Sequence, residues 1–166
     1  MSGLIRNIIT FICALLSRSQ FNAQSTVTCY FLITPFDCGV SVLKSDKYFQ
    51  LAESAQLDFL VKTKLLGKLR DEGLSFVNAS QLVKFMKPVG VFSRVRVETR
   101  IIFTDDKCAY FSHSIFIGKN KHCEVLVKMK FKKGALTVAP AKVLGEFELE
   151  NLPYLQSWSQ TLESMS

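Results

Sequence analysis

The sequence is poor in the residues that announce metal or disulfide chemistry. Only two histidines, His113 and His122, occur in 166 residues, and neither has a second plausible ligand nearby. That speaks against a catalytic metal site, and no metal or other cofactor is expected. The five cysteines (Cys13, Cys29, Cys38, Cys108, Cys123) are an odd number, with no Cys-x-x-Cys pair and no two closer than nine residues. This argues against a disulfide framework and a zinc site alike, and free thiols fit a reducing compartment, so a cytoplasmic location is expected. Internal repeats and low-complexity stretches are lacking, and the four prolines sit where elements begin or end. Acidic residues are also short, 14 against 21 basic ones, for a net charge of +7. Such a charge admits an anionic partner: a nucleic acid, an acidic membrane surface or a phosphate-bearing small molecule. A nucleic-acid partner is not expected, because no known motif appears and the aromatics alternate with apolar rather than basic positions.

What is present is enough for one folded domain. Hydrophobic residues make up 48% of the chain, charged residues 21%, and there are 14 phenylalanines, apolar surface sufficient to offset the ordering entropy of folding. The chain divides into a helical segment 1–25, a central domain 26–145 and a helical tail 146–166. In the first segment Leu4, Ile5, Ile8, Ile9, Ile12, Leu15 and Leu16 fall on one side of a helix. The run from Ile8 to Leu16 is too short to span a bilayer, and Ser17-Arg18-Ser19-Gln20 is a poor cleavage site, so an amphipathic helix is preferred to a signal peptide. Its apolar stripe is expected to pack on the body of the protein or across a dimer. The alternative is peripheral contact with a membrane surface, for which basic residues are sparse.

Thr26 to Thr34, rich in β-branched and aromatic residues, reads as a strand stopped by Pro35. A helix capped by Ser45 or Asp46 follows, carried to about Leu66 by Tyr48, Leu51, Ala52, Ala55, Phe59 and Leu60. The small Ala52, Ser54 and Ala55 suit close packing on a sheet. Four strands come next, Leu74–Lys87, Arg94–Phe103, Lys107–Ile117 and His122–Lys132, with tight-turn residues at Asp105-Asp106 and Gly118-Lys119-Asn120-Lys121. Pro153 to Met165 reads as a last helix with Tyr154, Trp158 and Leu162 on one side. The order predicts an α+β domain in which a five-stranded antiparallel sheet wraps one central helix. Its edge strand and opposite face call for cover by dimerisation.

Residues 37–131 resemble the hydroxybenzoyl-CoA thioesterase branch of the hot-dog superfamily, and more closely its thioesterase-like, THEM-type subgroup. The resemblance is carried by FMKPVGVFSRVRVETRIIFTDDKCAYFSHSIF (85–116) and by KYFQLAESAQLDFL (47–60). It implies the hot-dog fold and hydrolysis of a medium or long-chain acyl thioester, presented as acyl-CoA or on an acyl-carrier protein, a role in lipid metabolism. It also implies a homodimer or a dimer of dimers. The turn of Ser45, Asp46, Lys47 and Tyr48 would hold the thioester carbonyl at the helix start, and a carboxylate just before the helix would act as nucleophile or base. The loop FDCGVSVLKSDKY departs from the family's pattern, lacking its His and both Asn. Ten residues before Tyr48 stands Cys38, and Asp37 one earlier; a one-residue shift makes Asp37 the catalytic carboxylate, with Glu53 in the helix as a second acid-base group. A turn-capping role for Asp37, a surface or dimer-contact role for Glu53, an inert Cys38 and a structural His113 are the plainer readings. Lys84, Lys87, Arg94 and Arg96 cluster in sequence; the first three are the candidate contacts for the CoA phosphates. Loss of the loop residues leaves a second function open, a non-catalytic acyl-CoA or lipid binder.

Overall fold

A computed structural model describes residues 3–17, 21–145 and 152–165. The elements run α1 (Gly3–Leu16), β1 (Val27–Leu32), a single 3-10 turn (Pro35–Asp37), α2 (Ser45–Lys62) and α3 (Leu65–Asp71). Then follow β2 (Ser75–Phe85), β3 (Arg94–Thr104), β4 (Ala109–Ile117), β5 (Asn120–Lys133), β6 (Leu136–Val138), α4 (Pro140–Leu144) and α5 (Pro153–Ser164). The strands form one antiparallel sheet in the order β1-β3-β4-β5-β2, with β6 paired to β5. The sheet curls around α2, which is the hot-dog arrangement. Ala52 and Ala55 are buried with Leu51, Phe59 and Leu60, and their small side chains let the helix approach the sheet closely.

The turns follow local chemistry. Asp105 Oδ1 accepts the backbone N–H groups of Lys107 at 2.8 Å and Cys108 at 2.7 Å, fixing the β3–β4 turn. Gly118 adopts φ +58° in the β4–β5 turn, a conformation glycine takes without steric cost. The central helix ends earlier than expected. Lys64 sits at φ +61° and separates α2 from α3, while Thr63 Oγ1 donates back to the Phe59 carbonyl at 2.7 Å. The three-residue β6 and the short α4 were not anticipated from the sequence.

Two apolar layers result. On the inner face Val95, Val97, Phe111, Ile115, Val125, Val127 and Met129 meet α2. On the outer face α5 covers Ile102, Cys108, Tyr110 and Leu126 with Leu155 and Trp158. A register shift between Ile101 and Phe103 interrupts the alternation: Ile101 belongs to the inner layer, whereas the adjacent Ile102 and Phe103 both join the outer one. In α5 it is Leu155 that is buried beside Trp158, while Tyr154 is exposed.

Helix α1 packs on α2 with the opposite stripe from the one expected. Its buried residues are Arg6, Thr10 and Ala14, at i, i+4 and i+8, and Asn7 Oδ1 accepts the Ser54 hydroxyl proton at 2.5 Å. Leu4, Ile5, Ile8, Ile9, Ile12, Leu15 and Leu16 are all exposed. The polar side faces in because α2 presents Gln50 and Ser54 there; Gly3 leaves space for the Gln50 side chain.

Candidate active site

Antiparallel order places the ends of β2 and β4 and the starts of β3 and β5 at one end of the sheet. Loops 33–44 and 86–93 lie there with the start of α2. They are stitched by Leu43 N–H to the Val89 carbonyl at 2.8 Å, Phe92 N–H to Ile33 at 2.8 Å and Val91 N–H to Ser41 at 3.1 Å. Lys44 precedes α2 in extended conformation and provides no side-chain cap. The first backbone N–H groups of the helix therefore lack the side-chain acceptor that caps usually supply. Asp37 is tied to this start through its own carbonyl, which accepts the Lys44 N–H at 3.0 Å.

Asp37 is withdrawn from solvent. Its Oδ1 accepts from Arg6 Nη2 at 2.6 Å, and its Oδ2 accepts from the Thr34 backbone N–H at 3.0 Å and hydroxyl at 2.7 Å. Burial alone would raise this carboxyl. The Thr34 and Arg6 bonds outweigh it and hold the group down at about 2. Asp37 is thus ionised, and it caps its own turn as well as pairing with α1. Cys38 next to it is buried.

Tyr48 turns inward. Its ring meets Phe85 edge-on at 5.0 Å, its hydroxyl engages the Val89 backbone, and burial raises its pKa. It braces the site and offers the site its backbone only. Ser45 and Asp46 are exposed, and Lys47 Nζ bonds Gln50 Oε1 at 3.0 Å. Glu53, eight residues on from Ser45 and so about 12 Å along the helix axis, is exposed and lines a separate cavity of about 240 Å³ with Asn7, Gln56, Leu57, Phe76 and Asn78. Gln56 and Asn78 exchange amide hydrogen bonds at 3.2 and 3.1 Å. No local pattern signals this amide pair, whose members are 22 residues apart, or the role of Arg6.

The basic cluster is divided. Lys84 and Lys87 lie at the end of β2, where the Lys87 N–H bonds the His122 carbonyl at 3.0 Å. Arg94 starts β3, three strands away with β5 and β4 between, and its guanidinium lies over the Tyr30 ring at 4.8 Å. All three still belong to the end of the sheet that holds the α2 start, but the roughly 14 Å lateral spacing of three strand intervals prevents Arg94 from joining the two lysines on one phosphate. His113 is fully buried among the core strands, its Nδ1 2.9 Å from Thr99 Oγ1 and its ring stacked on Phe111. Burial pushes it down to about 3. It is neutral and structural in its contacts. Among the described residues no group of three or more His, Cys, Asp and Glu could hold a metal, and no helix is long and apolar enough to cross a membrane.

Comparison with known proteins accords with this architecture. Protein THEM6 of Drosophila melanogaster is 24% identical over 108 residues, 64% of this chain and 56% of the fly protein, so the chain spans a little over half of that relative. A probable thioesterase from Bartonella henselae superposes with a TM-score of 0.63 at 16% identity, covering 69% of this chain and 98% of its own. A DHNA-CoA thioesterase from Staphylococcus aureus gives 0.61 at 13% identity, covering 84% and 92%. The family profile described as the thioesterase-like superfamily matches residues 40–145, well over half of the sequence, and the chain belongs to that family.

Proposed function

We propose that this protein hydrolyses an acyl thioester, delivered as acyl-CoA or on an acyl-carrier protein, with a medium or long acyl chain. The observation that carries the reading is the uncapped start of α2, bonded to the Asp37 loop at a lysine-bearing end of a hot-dog sheet. There the backbone N–H groups of Ser45 and Asp46, at the head of the Ser45–Tyr48 turn, polarise the thioester carbonyl and stabilise the oxyanion formed on attack, while the Lys47 N–H is held by the Lys44 carbonyl at 3.0 Å. Lys84 and Lys87 serve the CoA phosphates, and Arg94 meets the anion from the other side of the same end. A DHNA-CoA thioesterase of the same fold lends weight to a CoA thioester as substrate.

Two carboxylates compete for the chemistry. Asp37 stands beside the helix start as nucleophile or base, and Glu53 lines an open cavity next to β2. The outer edge of β2 is the end of the sheet and exposes Val77, Leu82 and Phe85. A second copy pairing antiparallel along this edge sets the Phe85 end of one protomer, which touches Tyr48, opposite the Phe76 end of the other, which lines the Glu53 cavity. In the resulting homodimer the helix start comes from one copy and Glu53 from its partner.

One observation favours the non-catalytic reading, an acyl-CoA or lipid binder. Asp37 has both oxygens engaged, no exposed surface and a pKa near 2, which makes it a weak base. Thiol release from acyl-CoAs of graded chain length, run on the wild type, Asp37→Asn and Glu53→Gln, decides. Turnover lost in one variant with binding intact identifies the catalytic carboxylate. Binding without turnover in the wild type replaces hydrolysis by carriage.

A further inference from the structure

The exterior of α1 is the most unusual surface of the molecule. Seven aliphatic side chains, Leu4 to Leu16, lie 49% to 77% exposed, and their arc is centred directly opposite the buried Arg6, Thr10 and Ala14. The arc carries no charged side chain and no side-chain hydrogen-bonding group, and α1 has no acidic residue. A protein interface of this size normally carries several direct hydrogen bonds and aromatic anchors, whereas the acyl region of a bilayer requires neither. Fourteen residues rise about 21 Å, short of the roughly 30 Å hydrocarbon core, so the helix suits the plane of an interface and not a crossing.

The charge around the foot of α1 is complementary to an anionic surface. Phe11 and Leu15 open onto a groove of about 730 Å³ walled by Val61, Leu66, Leu69, Leu74 and Phe76, and Lys64 and Arg70 stand on its lining. Both cations are exposed, Arg70 facing Asp71 only in an open pair at 3.4 Å. From this geometry we infer that α1 docks the protein on an anionic membrane surface. Its outer face enters the headgroup–acyl boundary while its inner face stays on α2, with Lys64 and Arg70 at headgroup level.

The test is flotation of the full chain with phosphatidylcholine vesicles and with vesicles containing about one third phosphatidylserine. The wild type is expected to float with the mixed vesicles, and Ile8→Glu with Ile12→Glu to lower bound protein by at least about tenfold. A milder pair, Ile5→Gln with Ile9→Gln, guards against misfolding and should bind weakly with an unchanged melting curve. Lys64→Ala with Arg70→Ala should remove the preference for phosphatidylserine. Folded wild type that stays off the mixed vesicles overturns the inference. So does light scattering that shows an oligomer dissolved by the glutamate pair with no lipid bound, which would assign the face to a second copy. The thioesterase assay with soluble acyl-CoA stands apart from each of these results.

Discussion

Arg6 of α1 and Asp37 before α2 form a buried ion pair at 2.6 Å, with side-chain exposures of 1% and 0%. Arg6 Nε and Nη1 have no hydrogen-bond partner, so the guanidinium depends on this carboxylate for its compensation. Removing Asp37 strands the Arg6 charge in the interior, and removing Arg6 takes a charged donor from the buried Asp37 carboxylate. Arg6→Gln is therefore expected to cost about 3–5 kcal/mol of stability. The double variant Arg6→Met, Asp37→Leu should recover much of the loss. Urea denaturation of Arg6→Met, Asp37→Leu and their double measures the coupling; a loss below about 1 kcal/mol in Arg6→Gln would mean that water or another group relieves the pair.

His113 sets a pH dependence. Its pKa is depressed from 6.5 to about 3 by burial, so the unfolded chain binds a proton that the native chain refuses. Stability should be unaffected by this group above pH 6.5 and fall by up to about 1.4 kcal/mol per unit as the pH drops toward 3, below which both states are protonated. His113→Gln should flatten the slope. Urea midpoints at neutral and mildly acidic pH compare the two; parallel curves would show that His113 is protonated in the native state. The lowered Asp37 pKa acts in a more acid window, its contribution complete above pH 3.8 and lost as the pH falls through about 2.

Trp158, the one tryptophan of the chain, is 8% exposed and meets Tyr110 edge-on at 6.0 Å. The Tyr110 hydroxyl in turn bonds Asp105 Oδ2 at 2.7 Å and Ser159 Oγ at 2.9 Å. Native fluorescence should be blue-shifted, and Tyr110→Phe should move it toward red by loosening α5. Trp158→Ala should destabilise by about 3 kcal/mol. An emission already that of a solvated indole in the wild type would mean that α5 does not rest on the sheet.

The outer edge of β2 bears on assembly. Val77→Lys with Leu82→Lys places cations on side chains that are 47% and 44% exposed in the single chain, which a lone protomer tolerates and a paired edge resists. Sedimentation should find the wild type dimeric and the variant monomeric at equal helix content. A dimer that survives the substitutions would have to be held elsewhere.

Much of the architecture was legible because local chemistry agrees with it. The Val95/Val97 alternation, the Asp105 turn and the small residues of α2 each point to the element that forms. What was hidden depends on distance in sequence or on a choice that periodicity leaves open. Helical spacing identifies two stripes on α1 without saying which faces inward, and Arg6 finds Asp37 only across 31 residues. Lys64 takes a left-handed conformation with no glycine to mark it. The Lys84, Lys87 and Arg94 group looked continuous because the intervening β4 and β5 come later in the chain. The inward rotation of Tyr48 in the first turn of α2 follows from Phe85 and Val89, beyond any local pattern.

The docking of α1 on α2 also bears on how this chain can be cut and inherited. Residues 40–145 carry the family likeness, yet Arg6, Asn7, β1 and Asp37 all lie upstream of it. A fragment trimmed to the matched region would lose an edge strand and leave Ser54 without its partner. In a lineage where the first helix diverges, Asp37, Ser54 and Gln50 should change in concert with it.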